Sequence, residues 1–401
     1  MRRPSLEPVS SPASPVFARD RTTLLLYAAL GVFGTLQVVP GLVVPALRDE
    51  LGYGFTLASL HVTAFAALGL VSGLLAPRLD RALGRRRVLL VGLLGMGLAV
   101  AGLTAGRTAA LTLLAAGTAG LLGTLIIVAV QSALSDHHGE QRAVAFAESN
   151  VIASVGQTAA PLGVGLAAAA LGSWRWGVLA LALSGLVVAL LARGATVPAT
   201  VVPEVGVDVV TGPLPARARL GVALVFTGVV LEWSTSYWGA TYFREVVGLS
   251  RPAAVSAMTL FFGAMLVGRV VGGVLVRRRD PSALVGVGLG LVAVALALQA
   301  ATTAPAGALT GLLLLGLGIA VLFPFGLALA VAGAPDRSAV VSSRCIVAGS
   351  SAVLVGPLLV GQLADVLGLR TALGLMPLVA AAAVALLVRY RRSTPTAVRT
   401  A

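Results

Sequence analysis

The sequence SVGQTAAPLGVG at positions 154–165 recurs in similar form as SSAVLVGPLLVG at positions 350–361. Pro161 and Pro357 are 196 residues apart, and Gly165 and Gly361 are separated by the same 196. A single offset that aligns a proline and a glycine across the chain indicates an internal repeat. We therefore expect two similar structural units, one from each half of the sequence.

Composition places both units in a lipid bilayer. Of the 401 residues, 58% are hydrophobic and 11% are charged, whereas soluble domains have roughly a quarter of their residues charged. The apolar residues form long runs, and a run of about 20 spans a bilayer as a helix. We predict twelve transmembrane helices, at about 22–44, 55–77, 88–106, 109–133, 143–170, 174–193, 219–243, 252–276, 282–303, 306–332, 338–362 and 371–388. Prolines at positions 40 and 324 predict kinks in the first and tenth of these helices.

The predicted fold class is an all-α membrane protein with two six-helix bundles related by a pseudo-two-fold axis. The longest segment between spans carries four prolines, at positions 198, 203, 213 and 215, and divides the chain in two. The predicted organisation is a disordered cytoplasmic tail at 1–21, a first bundle at 22–193, a cytoplasmic linker at 194–218, a second bundle at 219–388 and a cytoplasmic tail at 389–401.

Arginine placement predicts the orientation of the chain. With the N-terminus inside, the cytoplasmic segments hold 21 arginines and the external loops hold 6. Basic residues concentrate on the cytoplasmic side of membrane proteins. We therefore predict a multi-pass protein of the inner, cytoplasmic membrane with both termini in the cytoplasm.

The loop between the second and third predicted spans carries a recognisable motif. This loop, APRLDRALGRRR at 76–87, is similar to the signature G-x-x-x-D-[RK]-x-G-[RK]-[RK] of the major facilitator superfamily. It departs from the signature at Ala76, which replaces the first glycine, and by one extra residue between Arg81 and Gly84. The stretch FGAMLVGRVVGG at 262–273 resembles the second-half counterpart of this loop. Glu232-Trp233 resembles the sugar-permease-like bacterial members.

This resemblance implies a secondary transporter in which two bundles rock about a central site. It implies a small-molecule substrate, usually moved by a proton or substrate gradient, and a bundle interface where span five packs on span eight and span two on span eleven. We expect a monomer that uses no cofactor. Symport, antiport and uniport, import and export, and a non-transporting receptor or scaffold with the same fold all remain open.

Glu232 is the acidic residue that the predicted spans place nearest the bilayer midplane. A charge at that depth is costly and tends to be functional or paired. Glu232 is therefore a candidate for proton coupling or substrate binding, and the alternative is a carboxyl hydrogen-bonded to a neighbouring helix. The other candidates for this site are Trp233, Tyr237, Gln37 and Asn150. Tyr237 and its neighbour Trp238 also fit an aromatic belt at the outer membrane interface.

Charged residues near the cytoplasmic side are candidates for an inner gate. The 196-residue offset relates Glu148 to Arg344, and the family's bundle interface predicts that Glu148 pairs with Arg269. The same reasoning predicts that the Asp80 region pairs with Arg344, and the gating set is completed by Arg81 and Arg85. The alternative is a set of static salt bridges that stabilise one bundle.

Other function classes fit the sequence poorly. All 29 basic residues are arginine, so the lysine-dependent phosphate loop of ATP-driven pumps is missing. The net charge of +14 is spread between apolar spans and forms no nucleic-acid-binding face. We expect no enzymatic activity, because there are only three histidines and two of them fall in one loop. We interpret that charged loop, at 136–142, as solvated and not as a metal site, and we interpret the third histidine, His61, as structural.

Overall fold

The computed structural model describes residues 17–194, 197 and 212–393, and these ranges contain helices and no strand. The helices are Arg21–Gln37 (α1), Val39–Leu51 (α2), Phe55–Leu83 (α3), Arg85–Ala105 (α4), Ala109–His138 (α5), Arg142–Leu171 (α6), Trp174–Ala192 (α7), Ala216–Glu245 (α8), Arg251–Leu275 (α9), Pro281–Ala301 (α10), Pro305–Ile319 (α11), Leu322–Ala332 (α12), Ser338–Leu367 (α13), Leu369–Leu373 (α14) and Met376–Arg392 (α15).

Within the described ranges, 11 helical stretches are long and apolar enough to cross a membrane. The predicted count of twelve spans is not confirmed by that number. The longest of the 11 stretches, Ala109–Leu171, has 63 residues. It contains α5 and α6, each of 30 residues, joined by the 3-10 turn Gly139–Gln141.

Polar contacts show which helix ends lie together. Arg85 donates to Asp136 at 2.7 Å, so the start of α4 lies beside the end of α5. Arg217, near the start of α8, donates to the carbonyl of Ser393 at 2.9 Å. We call this side, which carries residues 17–20 and Ser393, the terminal end. The opposite side, with the end of α2 and the start of α3, is the distal end.

The helices pack in two sets that meet along matching pairs. Residues 17–194 are called the first half and residues 212–393 the second half. Helix α6 of the first half packs on α9 of the second, and α3 packs on α13. The predicted pairing of span five with span eight, and of span two with span eleven, is therefore present.

Two glycines allow this close approach, and they are the two that the repeat relates. A Cβ atom at Gly165 of α6 would lie 2.0 Å from Ser256 Oγ of α9, and one at Gly361 of α13 would lie 2.7 Å from Ser59 Oγ of α3. Real Cβ atoms essentially never approach a heavy atom this closely. The halves therefore contact each other through two equivalent glycine–serine pairs.

Two of the long apolar stretches are interrupted where prolines were expected to kink them. Helix α1 ends at Gln37, and Pro40 is the second residue of α2. Helix α11 ends at Ile319, and Pro324 is the third residue of α12. Proline lacks a backbone N–H and its ring crowds the preceding turn. Val38, between α1 and α2, lines a central cavity.

Candidate functional site

A central cavity of about 450 Å³ lies between the two halves, beside the break between α1 and α2. This volume includes space that is open to solvent. Its wall is formed from α1, α2, α3, α6, α8 and α9. The polar lining residues are Gln37, Gln157, Glu232 and Ser236, the aromatic ones are Phe65, Trp233, Tyr237 and Phe262, and the others are Val38, Pro40, Gly41 and Val62.

Glu232 does not stand alone in this wall. Arg269 Nη2 donates to Glu232 Oε1 at 3.2 Å, and Arg269 Nη1 donates to Ser154 Oγ at 3.1 Å. Glu232 and Arg269 belong to α8 and α9 of the second half, whereas Ser154 belongs to α6 of the first half. The guanidinium thus balances the one carboxylate of the cavity wall and joins the two halves beside it.

Trp233 and Tyr237 also line the cavity, as predicted. The neighbouring Trp238 does not lie in an aromatic belt at the membrane interface. Tyr237 lines the cavity and donates its hydroxyl to the carbonyl of Ala58 across the half boundary. Trp238 is 0% exposed, and its indole N–H donates to the carbonyl of Pro357 at 2.9 Å. Burial of Trp238 beside Phe55 of the other half excludes the outer-interface position considered for it.

Gln37 lines the cavity as expected, but Asn150 does not. The Asn150 side chain is exposed and donates to the carbonyl of Phe146, one turn earlier in α6, at 2.8 Å. Gln157, two turns farther along α6, lines the cavity instead. Asn150 lies two turns nearer the terminal end than Gln157, so it does not reach the cavity.

Glu148 and Arg269 do not form the predicted ion pair with each other. Glu148 instead accepts hydrogen bonds from Arg19 at 2.5 Å and from Tyr27 at 3.2 Å. Arg269 meets Ser154, which is six residues farther along α6 than Glu148. Six helical residues span about 9 Å. The two charges therefore lie at different depths.

The predicted pairing of the Asp80 region with Arg344 is also wrong. Asp80 lies 3.5 Å from Arg85, which is buried and also contacts Asp136 at 2.7 Å. Gly84, with φ +80, forms a one-residue turn between α3 and α4 that brings Arg85 back to Asp80. Arg81 is exposed and donates to the carbonyl of Pro77 at 3.3 Å in its own helix. Asp80, Arg85 and Asp136 therefore form a triad inside the first half.

Arg344 lies on the exposed terminal part of α13. It lines a surface pocket together with Arg219 and Arg337. Its neighbours are therefore other arginines of the second half.

Part of the predicted N-terminal tail is ordered against the first half. Asp20 accepts hydrogen bonds from the Thr23 backbone at 2.8 Å and from His137 at 2.8 Å. Burial opposes ionisation of Asp20, but the hydrogen bonds from Thr23 and His137 outweigh it and lower the pKa of the carboxyl to about 2. Residues 1–16 of that tail, the linker positions 195, 196 and 198–211, and residues 394–401 lie outside the described residues.

His61 is buried and hydrogen-bonded. Its Nε2 lies 2.9 Å from Thr112 Oγ1, and its Nδ1 lies 3.0 Å from the carbonyl of Ala58. These contacts fit the structural role expected for this histidine.

The distal end is closed by a set of charged contacts that sequence reasoning missed. Asp365, near the end of α13, accepts hydrogen bonds from the backbone N–H groups of Phe55 at 2.7 Å and Thr56 at 2.8 Å. These are the first two residues of α3 in the other half. Asp365 thus accepts hydrogen bonds from N–H groups at the start of α3, which have no acceptor within their own helix.

Two ion pairs lie beside this helix cap and also join the halves. Arg251 donates to Asp49 at 2.5 Å, and Arg48 pairs with Glu245. The partners are 202 and 197 residues apart in sequence, and Asp365 is 310 residues from Phe55. No local spacing indicates such pairs. The sequence indicates only that these charged residues all lie near the external ends of the predicted spans.

The comparisons with known proteins agree with this architecture. A family model described as Major Facilitator Superfamily matches residues 24–344. A bacterial homologue of the human lysosomal transporter Spinster, in an inward-facing and occupied conformation, has a similar structure with a TM-score of 0.77 and 15% identity, over 94% of this chain and 97% of that chain.

The nucleoside transporter NupG, in a point-mutant form, has a TM-score of 0.72 and 13% identity, over 92% of this chain and 99% of that chain. At such identities the likeness shows a shared fold. A search of curated protein sequences finds no match to the chain. The family match covers most of the sequence, so the protein is a multi-pass membrane transporter and not an enzyme. It belongs to the Major Facilitator Superfamily.

Proposed function

We propose that the protein is a proton-coupled secondary transporter that moves a small solute across the cytoplasmic membrane by alternating access. The observation that carries the proposal is the central cavity, which has distal contacts between the halves on one side and Glu232, the ion-pair partner of Arg269, in its wall. The cavity is formed within one chain, which supports function as a monomer.

The proposed topology has twelve spans in two six-helix bundles, at 22–193 and 219–388, with α5 and α6 crossing separately. Each of these two helices has 30 residues and is therefore about 45 Å long, enough to cross a bilayer alone. The arginine bias supports a cytoplasmic terminal end. Reporter fusions at Ser5 and Pro203 should both give a cytoplasmic signal, and an external signal at either would overturn this topology.

With that topology, the contacts at the distal end would close the cavity to the outside. Three contacts between the halves lie at the distal end: the hydrogen bond from the start of α3 to Asp365, the Arg48–Glu245 ion pair and the Arg251–Asp49 ion pair. On the terminal side of the cavity, Asn150 of α6 and Arg344 of α13 have exposed side chains. Breaking the distal contacts while closing the terminal side would expose the cavity to the outside.

Coupling would use the competition between a proton and Arg269 for Glu232. An ionised Glu232 is stabilised by the guanidinium 3.2 Å away. Protonation of Glu232 would remove this attraction and leave Arg269 bound to Ser154 of the first half. The relative strength of the two contacts of Arg269, with Glu232 in the second half and with Ser154 in the first, would then depend on whether Glu232 carries a proton.

The proposal is tested by uptake into proteoliposomes against a panel of solutes that includes sugars and organic cations, with and without an imposed proton gradient. The aromatic residues Trp233 and Tyr237 beside a carboxylate suit both of these solute classes. Accumulation above the external concentration, only with the gradient, would support coupled transport.

Two alternatives give different outcomes in the same assay. Equilibration that the gradient does not change would identify a facilitated-diffusion uniporter. Absence of uptake for every solute, in a protein that still binds one of them, would favour a receptor or scaffold with a transporter fold.

A further inference from the structure

A second pocket lies at the terminal end of the second half, away from the central cavity. It is an open pocket with a volume of about 650 Å³, including space that is open to solvent. Three arginines line it: Arg219 in the first turn of α8, and Arg337 and Arg344 at and beyond the start of α13. No carboxylate is among its lining residues in the described part of the chain. The pocket is therefore a concentrated positive site.

One of the arginines is fixed in place by the backbone. Arg337 donates to the carbonyl of Gly212 at 2.9 Å and to the carbonyl of Pro213 at 3.1 Å. These contacts attach the chain entering α8 to the turn before α13 and hold the mouth of the pocket in shape. Arg219 and Arg344 both have exposed side chains, so their guanidinium groups are accessible to an anion.

The rest of the lining is apolar and comes from the segment before α8 and from α8 and α13. Leu214, Val222 and Val340 lie in the pocket wall with the arginines. A ligand that fits this wall combines negative charge with hydrocarbon. A small hydrated anion such as inorganic phosphate would gain nothing from the apolar side chains.

The depth of the pocket matches the headgroup layer of a bilayer. Helices α8 and α13 each have 30 residues, which corresponds to about 45 Å. The hydrocarbon core is about 30 Å thick, so each helix extends roughly 7 Å beyond it at either end. Arg219 lies in that outer segment, and the long side chain of Arg344 can reach it from slightly deeper.

We propose that this pocket binds the phosphate-containing headgroup of an anionic phospholipid, with the acyl-chain side of the lipid against the apolar wall. Arg219 and Arg344 contact the phosphate, and Arg337 maintains the pocket and adds to its positive charge. This site is separate from the transport cavity and requires no assumption about the transported solute.

The test measures lipid retained by the full-length purified protein, with native mass spectrometry after exchange into detergent with phosphatidylglycerol or phosphatidylcholine. The variant Arg219→Gln/Arg344→Gln should lose phosphatidylglycerol affinity roughly 30-fold, since each arginine near an anionic lipid contributes about fivefold. The charge-preserving variant Arg219→Lys/Arg344→Lys should retain most of the binding.

A matched control removes the same charge elsewhere at the terminal end. Arg277 and Arg278 are exposed and follow α9, and Arg277→Gln/Arg278→Gln should bind phosphatidylglycerol like the parent protein. An equal loss in this control, or equal binding of the two lipids by the parent protein, would overturn the proposal. Displacement of phosphatidylglycerol by millimolar inorganic phosphate would overturn the lipid assignment.

Discussion

Glu232 and Arg269 are joined by a hydrogen-bonded ion pair of 3.2 Å between α8 and α9. Their side chains are 16% and 35% exposed, respectively. The carboxylate that the sequence marks as a lone midplane charge is therefore neutralised by an arginine that the sequence marks as part of an inner gate.

This pair predicts a non-additive pattern of substitutions. Arg269→Gln leaves the less exposed Glu232 without its partner and should cost up to about 3 kcal/mol in stability, because an uncompensated buried charge is unfavourable. Glu232→Gln/Arg269→Gln should be more stable than Arg269→Gln alone, as measured by thermal unfolding in detergent. Strictly additive losses would show that the two charges do not depend on each other.

The same variants separate coupling from binding. Glu232→Gln keeps a hydrogen-bond acceptor for Arg269 but cannot titrate. We expect it to exchange substrate across proteoliposome membranes while losing accumulation driven by a proton gradient. Failure of exchange would instead indicate that Glu232 binds a cationic substrate. Unchanged accumulation with an unchanged pH dependence would contradict both roles.

Asp365 should hold the distal end closed. Asp365→Ala removes a carboxylate that accepts two backbone N–H groups of α3. Hydrogen bonds to charged groups contribute about 1.5–3 kcal/mol. We therefore expect a shift of the population toward opening at the distal end.

Distances between spin labels would measure this shift. Labels at Arg107→Cys and Arg370→Cys, in a Cys345→Ser background, report on exposed distal positions in the two halves. Asp280→Ala is a matched control, because Asp280 caps the start of its own helix α10 through Ser282 at 2.8 Å and Ala283 at 3.2 Å. A longer distance in both variants, or in neither, would argue against a specific distal role for Asp365.

Gly165 should tolerate no side chain. In Gly165→Ala, the new Cβ would lie 2.0 Å from Ser256 Oγ and 2.8 Å from the carbonyl oxygen of Pro252. Overpacking of this kind costs about 1–3 kcal/mol. The control is Gly163→Ala in the same helix, where the nearest atom lies at 3.9 Å. Thermal unfolding should show a loss for the first variant alone, and similar values for the two would refute the close contact.

Arg85 should stabilise the first half without acting as a gate. Its guanidinium lies between Asp80 and Asp136, and its side chain is 3% exposed. Arg85→Gln leaves two neighbouring carboxylates without their shared cation and should cost about 3 kcal/mol in unfolding free energy. At temperatures below unfolding, the exchange rate per folded protein should stay near that of the parent. A large drop in this rate with unchanged stability would support the gating role instead.

Helices and cavity residues were more predictable than charge partners. Long apolar runs determine where helices lie, and a 196-residue offset places Gln37 near Trp233 in depth, so both were expected at the central site and both line it. A pairing of charges also depends on where each helix begins and how it is rotated. Helix α6 has 30 residues and α9 has 25, so equal spacing from a predicted boundary does not give equal depth.

Local turns explain the other error. Asp80 was assigned a distant partner, but the one-residue turn at Gly84 supplies Arg85 five positions away. The distal contacts of Asp365 were missed for the opposite reason, since its partners are more than 300 residues away.

The paired contacts of Gly165 with Ser256 and of Gly361 with Ser59 give the boundary between the halves a two-fold form. In each case a glycine late in one half meets a serine near the start of a helix in the other half, and the two contacts are reciprocal. Reciprocal contacts of one surface with itself define the isologous interface of a two-fold symmetric homodimer. A single half with this glycine and this serine would make both contacts with a second copy of itself. The boundary between the halves therefore has the form of a subunit interface within one polypeptide.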